Sequence, residues 1–132
     1  MLLITTADER FWGPNSPDSN EKKLFLGEWC RLYASRASWE KHAWPVLRHP
    51  WEDLQKRRAD YLRARSFARI LLPIFTEVLN ETHKTDWPIK SWRFVIGPWL
   101  QYLIGVLIDR QQMVQLVAAS NSELQTCVSK SR

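Results

Sequence analysis

Histidine, cysteine and glycine are scarce in this 132-residue chain, and each scarcity removes a class of chemistry. His42, His49 and His83 stand at no metal-ligating spacing, and Cys30 and Cys127 form neither a CxxC pair nor a Cys/His ligand set. No metal site and no cofactor is therefore expected. With only four glycines there is no GxGxxG and no Walker loop, and GxSxG and HExxH are missing as well. Two remote cysteines fit a reducing, cytoplasmic compartment. Met1-Leu2-Leu3-Ile4 runs straight into Thr5, Thr6 and acidic residues, without the pattern of a secretory leader. Long apolar runs are also lacking. The most apolar stretch, Phe94 to Ile108, is interrupted by Gly97, Pro98, Gln101 and Gly105 and is shorter than the roughly 20 residues of a spanning helix. That length favours a buried core helix and no membrane span.

What the chain has in excess is tryptophan, eight in all, and a local excess of positive charge. The length suits one domain with a real core. An indole-rich core needs a partner for every buried indole N–H. The net charge of +5 is carried wholly by residues 54–69, where Lys56, Arg57, Arg58, Arg63, Arg65 and Arg69 face the single acid Asp60. A nucleic-acid binder spreads its charge more widely and interleaves aromatics for base stacking. The concentration on one helix instead describes a solvated basic face at Lys56, Arg58, Arg65 and Arg69, suited to an acidic ligand or partner.

Leu2 to Thr5 reads as a first short strand and Leu24 to Leu26 as a second, closed by Gly27. Phe11 to Asn20 is a loop by its Pro, Asn, Ser and Gly content. A helix can begin at Glu28 to Tyr33, and Ser38 can cap another from Trp39 to about Val46. Pro50 to about Thr82 is strongly helical, with Tyr61, Ala64, Ala68, Leu71, Phe75 and Val78 recurring in steps of three and four. Pro73 should kink or split it near Arg69. After a connection at 83–86, a helix begins near Trp87 or Pro88. Gly97-Pro98 should interrupt it, with Pro98 opening a new helix to about Ala119. The all-round apolar character through Ile108 predicts that both sides of that helix are covered. A polar tail occupies 120–132. Two short strands beside long helices define an α/β, helix-dominated fold. The core is expected around Trp92, Trp99 and the apolar side of the Tyr61–Val78 helix.

Two strings carry candidate chemistry. In Gly27-Glu28-Trp29-Cys30, which follows a strand, Glu28 can accept from a sugar hydroxyl while Trp29 stacks on the sugar; the competing account pairs Glu28 with an arginine and packs Trp29 in the core. In Trp92-Arg93…Gly97-Pro98-Trp99, Arg93 can hold a phosphate or carboxylate by its bidentate fork. Its structural alternative is an ion pair with Glu28 or Asp109, because an unpaired guanidinium in an apolar setting is costly.

Taken in order, Thr5-Thr6…Phe11-Trp12, Phe25-Leu26-Gly27-Glu28-Trp29-Cys30 with Tyr33, Pro50-Trp51 with Asp53, Trp92-Arg93, Ile96-Gly97-Pro98-Trp99-Leu100 and Asp109-Arg110 resemble the N-terminal region of a bacterial family of transferases first named from a leptospiral locus. The resemblance runs from residue 2 to about 117. It implies a role in surface-polysaccharide and O-antigen assembly and a two-domain, Rossmann-like glycosyltransferase architecture. It also implies that residues 1–132 form a single, incomplete N-terminal domain, inactive alone, whose exposed apolar surface can self-associate. An activated sugar or polysaccharide precursor is the implied ligand of the full-length protein. The resemblance brings no assigned catalytic residues, so Glu28, Trp29, Arg93 and Asp109 are candidates on physical grounds. The alternative is a non-catalytic helical module that binds an acidic partner through the 56–69 basic face.

Overall fold

The computed structural model describes residues 1–13, 22–120 and 123–127; most of the loop expected at 11–20 lies outside them. The fold is helix-dominated, with two short parallel strands near the N-terminus followed by long helices. It comprises two compact units. The first is Met1–His49 with Met113–Arg132 and the second is Pro50–Gln112.

In the first unit, β1 (Leu2–Ile4) pairs in parallel with β2 (Lys23–Phe25), placing Leu2 opposite Lys23, Leu3 opposite Leu24 and Ile4 opposite Phe25. Single-residue parallel bridges extend this pair on both edges, Leu2 to Gln125 and Phe25 to Val46. Val46 is thus extended, not the end of a helix as its sequence suggests. The helix in that region, α1 (Arg36–Trp39), is one turn long, and Pro45 lies beyond it. Pro45 cannot donate into a helix, yet its carbonyl accepts from Phe25 N at 3.0 Å, which recruits the segment to the sheet. The Glu28–Tyr33 stretch likewise forms short 3-10 turns in place of an α-helix. The polar segment at 123–127 returns to the sheet, with Leu3 N donating to Gln125 O at 2.8 Å.

Ile4, Trp12, Phe25, Leu26, Cys30, Met113 and Val117 form the first core. Its aromatic centre is built edge to face, Trp12 on Phe25 at 5.5 Å and on Trp44 at 6.2 Å between ring centroids. The buried Trp12 indole N–H finds the Thr6 carbonyl at 2.9 Å, as a buried indole requires.

The second unit is a helical hairpin. Pro50 opens a 3-10 turn, and α2 (Leu54–His83) begins after it, capped by Asp53, whose Oδ1 accepts from Gln55 N at 2.8 Å. The helix closes on Lys84 in the left-handed region, φ 52°, ψ 46°. α3 (Ile89–Ser120) follows a short connection, and its residues through Gln112 belong to this unit. Ala64 and Leu72 of α2 are buried with Leu100, Ile104 and Ile108 of α3, an i, i+4, i+8 row. Each fully buried Leu or Ile contributes on the order of 1.5–3 kcal/mol.

Neither internal proline breaks its helix: α2 is continuous through Pro73 and α3 through Pro98. A mid-helix proline clashes with the residue before it and removes one hydrogen bond. At Pro98 the preceding residue is Gly97, which has no Cβ to clash. At Pro73 it is Leu72, whose burial in the hairpin core offsets the loss. A second correction concerns coverage. Phe94, Val95, Trp99, Tyr102 and Leu107 are exposed, so α3 is not covered all round. Trp92 is 6% exposed and Trp99 54%, so Trp99 is not a core residue. At the ends of the expected apolar side of α2, Tyr61 and Val78 are exposed as well.

Candidate functional site

The Gly27-Glu28-Trp29-Cys30 string explains itself structurally. A Cβ on Gly27 would collide with the Trp29 ring, so the glycine is what lets the indole fold back over the chain. Trp29 packs against the first core, and its indole N–H donates to the Thr5 carbonyl at 3.4 Å. The buried Cys30 thiol donates to the Ile4 carbonyl at 3.3 Å. Glu28 is outside this packing and forms a bidentate pair with Arg31, 2.6 Å from Arg31 Nη2. These contacts match the packing account of the string; the sugar-stacking role expected of Glu28 and Trp29 gains no geometric support from them.

In the hairpin unit, the sequence candidates fall into two grooves. The first, of about 630 Å³, is lined by Arg65, Ala68, Arg69 and Leu72 from α2 and by Arg93, Gly97, Pro98, Leu100 and Gln101 from α3, with Ile89. It brings together Arg93 and two arginines of the basic face, which the sequence assigns to separate features. The expected pairing of Arg93 with Glu28 or Asp109 is not what forms. Glu28 pairs with Arg31, Asp109 pairs with Arg110 at 2.7 Å, and Arg93 is exposed. The physical reason is that Arg93 lies on a solvated side of α3, where its charge needs no acid. Among the described residues none of Arg65, Arg69 and Arg93 has a carboxylate partner. Three guanidiniums with fork-shaped donors, converging on one groove, suit a planar or tetrahedral oxyanion. Gly97 keeps the groove open beside Arg93, whose Cγ is 3.5 Å from where a Cβ would stand.

Lys56 and Arg58 are not part of that cluster. Lys56 turns to the buried Asp60, Nζ to Oδ2 at 3.1 Å, and Arg58 lines a shallow surface depression with Leu54, Arg57 and Tyr61. The basic face is therefore divided rather than continuous.

The second groove, of about 380 Å³, is lined by Trp51, Arg57, Asp60, Tyr61, Ala64, Gln101, Tyr102, Gly105, Val106 and Asp109. Asp60 is buried and fixed: its Oδ2 accepts from the Trp51 indole N–H at 2.9 Å as well as from Lys56. Burial pushes the Asp60 carboxyl upward, but the bonds from Trp51 and Lys56 and the charges of Lys56 and Arg63 outweigh it, holding the group below its ordinary 3.8. Sequence reasoning singled out Asp109 alone here. Trp51, Asp60, Tyr61 and Tyr102 were missed as a constellation because their proximity depends on how the two helices align, not on local spacing.

Among the described residues no group of three or more His, Cys, Asp or Glu could hold a metal ion. α3 as a whole is long and apolar enough to cross a membrane by length and composition, a test that core helices of soluble proteins also pass.

A helical hairpin whose groove holds three guanidiniums with no carboxylate partner among the described residues is a scaffold suited to an anionic ligand. Residues 1–132 match the family described as LIC12162 family transferase, and the chain belongs to that leptospiral-named transferase family. No curated protein matches the chain, and no solved structure does.

Proposed function

We propose that this chain supplies an anion-binding wall to a transferase acting on an activated sugar or polysaccharide precursor in surface-polysaccharide assembly. The observation that carries the proposal is the convergence of Arg65, Arg69 and Arg93 on one groove without a carboxylate partner among the described residues. Activated sugars carry phosphate or diphosphate, and a phosphate oxygen is the acceptor that guanidinium forks match best. The family's transferase description supports the reaction class. The two parallel strands and the bridges at Val46 and Gln125 are consistent with the opening of a larger Rossmann-like domain. In that arrangement the remaining substrate contacts come from chain beyond these residues.

The test is calorimetric titration of inorganic pyrophosphate and of nucleotide sugars into the purified protein. Arg93→Ala and the Arg65→Ala/Arg69→Ala pair should each weaken binding about tenfold or more, with Arg58→Ala near neutral. Undiminished binding in both arginine variants overturns the assignment of this groove. If binding then tracks Arg58 and an acidic protein partner instead, the interaction-module alternative takes its place.

A further inference from the structure

We infer that the second groove is a saccharide subsite for the sugar portion of the same ligand whose phosphate the arginine groove receives, an inference that rests on the transferase reading. The two grooves are not independent features. Gln101 lines both of them. Along α3, Arg93, Gly97, Gln101, Gly105 and Asp109 follow one another at four-residue steps, a row that winds slowly around the helix, and every one of them lines a groove. The α2 wall continues in the same way, from Arg69 and Arg65 to Tyr61 and Arg57. The two grooves are neighbours along the hairpin and share Gln101 as a common wall residue.

The chemistry changes from one end of this pair to the other. The arginine end favours an anion. The other end carries mixed charge, with Arg57 beside two carboxylates, Asp60 and Asp109, that are each paired with a cation, where the arginine end carries positive charge alone. This mixed end offers the aromatic rings of Tyr61 and Tyr102, both exposed at the groove, and planar polar groups in Asp60 and Gln101. A pyranose ring presents an apolar C–H face and a rim of hydroxyls, which need an aromatic surface and planar hydrogen-bonding groups respectively. Trp51 fixes Asp60 by donating to Oδ2, so that carboxylate is held in place before any ligand arrives. Gly105 is the floor: a Cβ there would meet nothing within 4 Å, so the space belongs to the groove and not to packing. Gly97 and Gly105 are eight residues apart, which puts the two subsites about 12 Å apart along the helix. That separation suits a sugar joined to phosphate through an intervening group, such as a second phosphate or a second sugar, better than a simple monosaccharide phosphate.

The experiment uses two separate probes on the isotopically labelled protein, followed by NMR. Methyl glycosides of glucose, mannose, galactose and N-acetylglucosamine report on the second groove, and inorganic pyrophosphate on the first. At least one glycoside should shift the Trp51 indole N–H and the Gly105 amide. Tyr102→Ala and Gly105→Leu should each weaken that glycoside about tenfold, and Arg58→Ala, which lines neither groove, should leave it unchanged. Gly105→Ala serves as the folding control, because Ala within a helix is more favourable than Gly and the space is open. Absence of any glycoside shift at Trp51 and Gly105 up to about 20 mM overturns the saccharide subsite, as does binding indifferent to both Tyr102→Ala and Gly105→Leu. Failure of pyrophosphate to shift Arg93 and Gly97 strikes the phosphate reading of the arginine groove alone, so the two failures are told apart.

Discussion

The indole N–H of Trp92 donates to Asn80 Oδ1 at 2.8 Å, and that one amide oxygen also accepts from Trp87 N at 3.1 Å and Thr85 Oγ1 at 3.0 Å. The amide nitrogen of Asn80 returns a bond to the Trp87 carbonyl at 3.0 Å. A single side chain in the last turns of α2 thus fixes the connection and the first turn of α3, and with them the alignment of the two groove walls. Asn80→Ala strips the buried Trp92 indole of its partner and frees the connection. Chemical denaturation of the variant should show a loss of about 2 kcal/mol, the usual range for an orphaned buried donor plus weakened neighbours. A loss below about 0.5 kcal/mol, typical of an unremarkable surface change, would show that the turn is held by other means.

The two tryptophans of the Trp92…Trp99 string should behave oppositely. Trp92 is buried and hydrogen-bonded, so Trp92→Ala leaves a large cavity and should cost about 3–5 kcal/mol. Trp99 is exposed, and Trp99→Ala should cost less than about 1 kcal/mol. Equal losses in urea unfolding of the two variants would contradict the exposure of this face of α3.

Acid sensitivity should trace in part to Asp60. Its carboxyl sits below the ordinary 3.8 in the folded protein, so the folded state binds its proton less readily than the unfolded chain does. The stabilisation is then fully present above about pH 4 and is lost as pH falls through the lower, folded value. Asp60→Asn removes this ionisation while keeping an acceptor for Trp51. Stability measured between about pH 5 and pH 2 should therefore fall less steeply in the variant than in the parent. Parallel curves would show that other carboxylates account for the acid response.

Local signals served the sequence reading well and tertiary ones poorly. Both strands, the basic helix and the connection at 83–86 were legible because short apolar runs, helical period and turn residues act over a few positions. The split allowed at Pro73 and the interruption expected at Gly97-Pro98 did not form, because a proline's local penalty was weighed without the compensations at Leu72 and Gly97. Val46 was misread because a sheet edge, not its neighbours, sets its conformation. Arg93 was read as an anion-binding candidate on its own, because its groove companions Arg69 and Arg65 lie about 24 and 28 positions earlier and meet it only through the hairpin. Exposure of Phe94, Val95 and Leu107 was not legible at all, since apolar composition alone implies burial.

That exposed apolar surface leads to the last prediction. Phe94, Val95, Trp99 and Leu107 present large side chains to solvent on one helix. A protein with this surface uncovered lowers its free energy by covering it, either with further chain of its own or with another copy. If these residues are one wall of a larger transferase, residues 1–132 alone should self-associate and turn over no sugar nucleotide, because a single wall lacks the closed, preorganised site that transition-state stabilisation requires. Sedimentation velocity should show oligomers that grow with concentration. Replacing Phe94, Val95 and Leu107 together with Gln should shift them toward monomer without lowering the melting temperature, since none of the three is buried. Anion binding by Arg65, Arg69 and Arg93 should survive in that variant, which separates loss of association from loss of fold. A monodisperse monomer that turns over a sugar nucleotide would instead make residues 1–132 a complete enzyme, and the exposed face of α3 would need a different account.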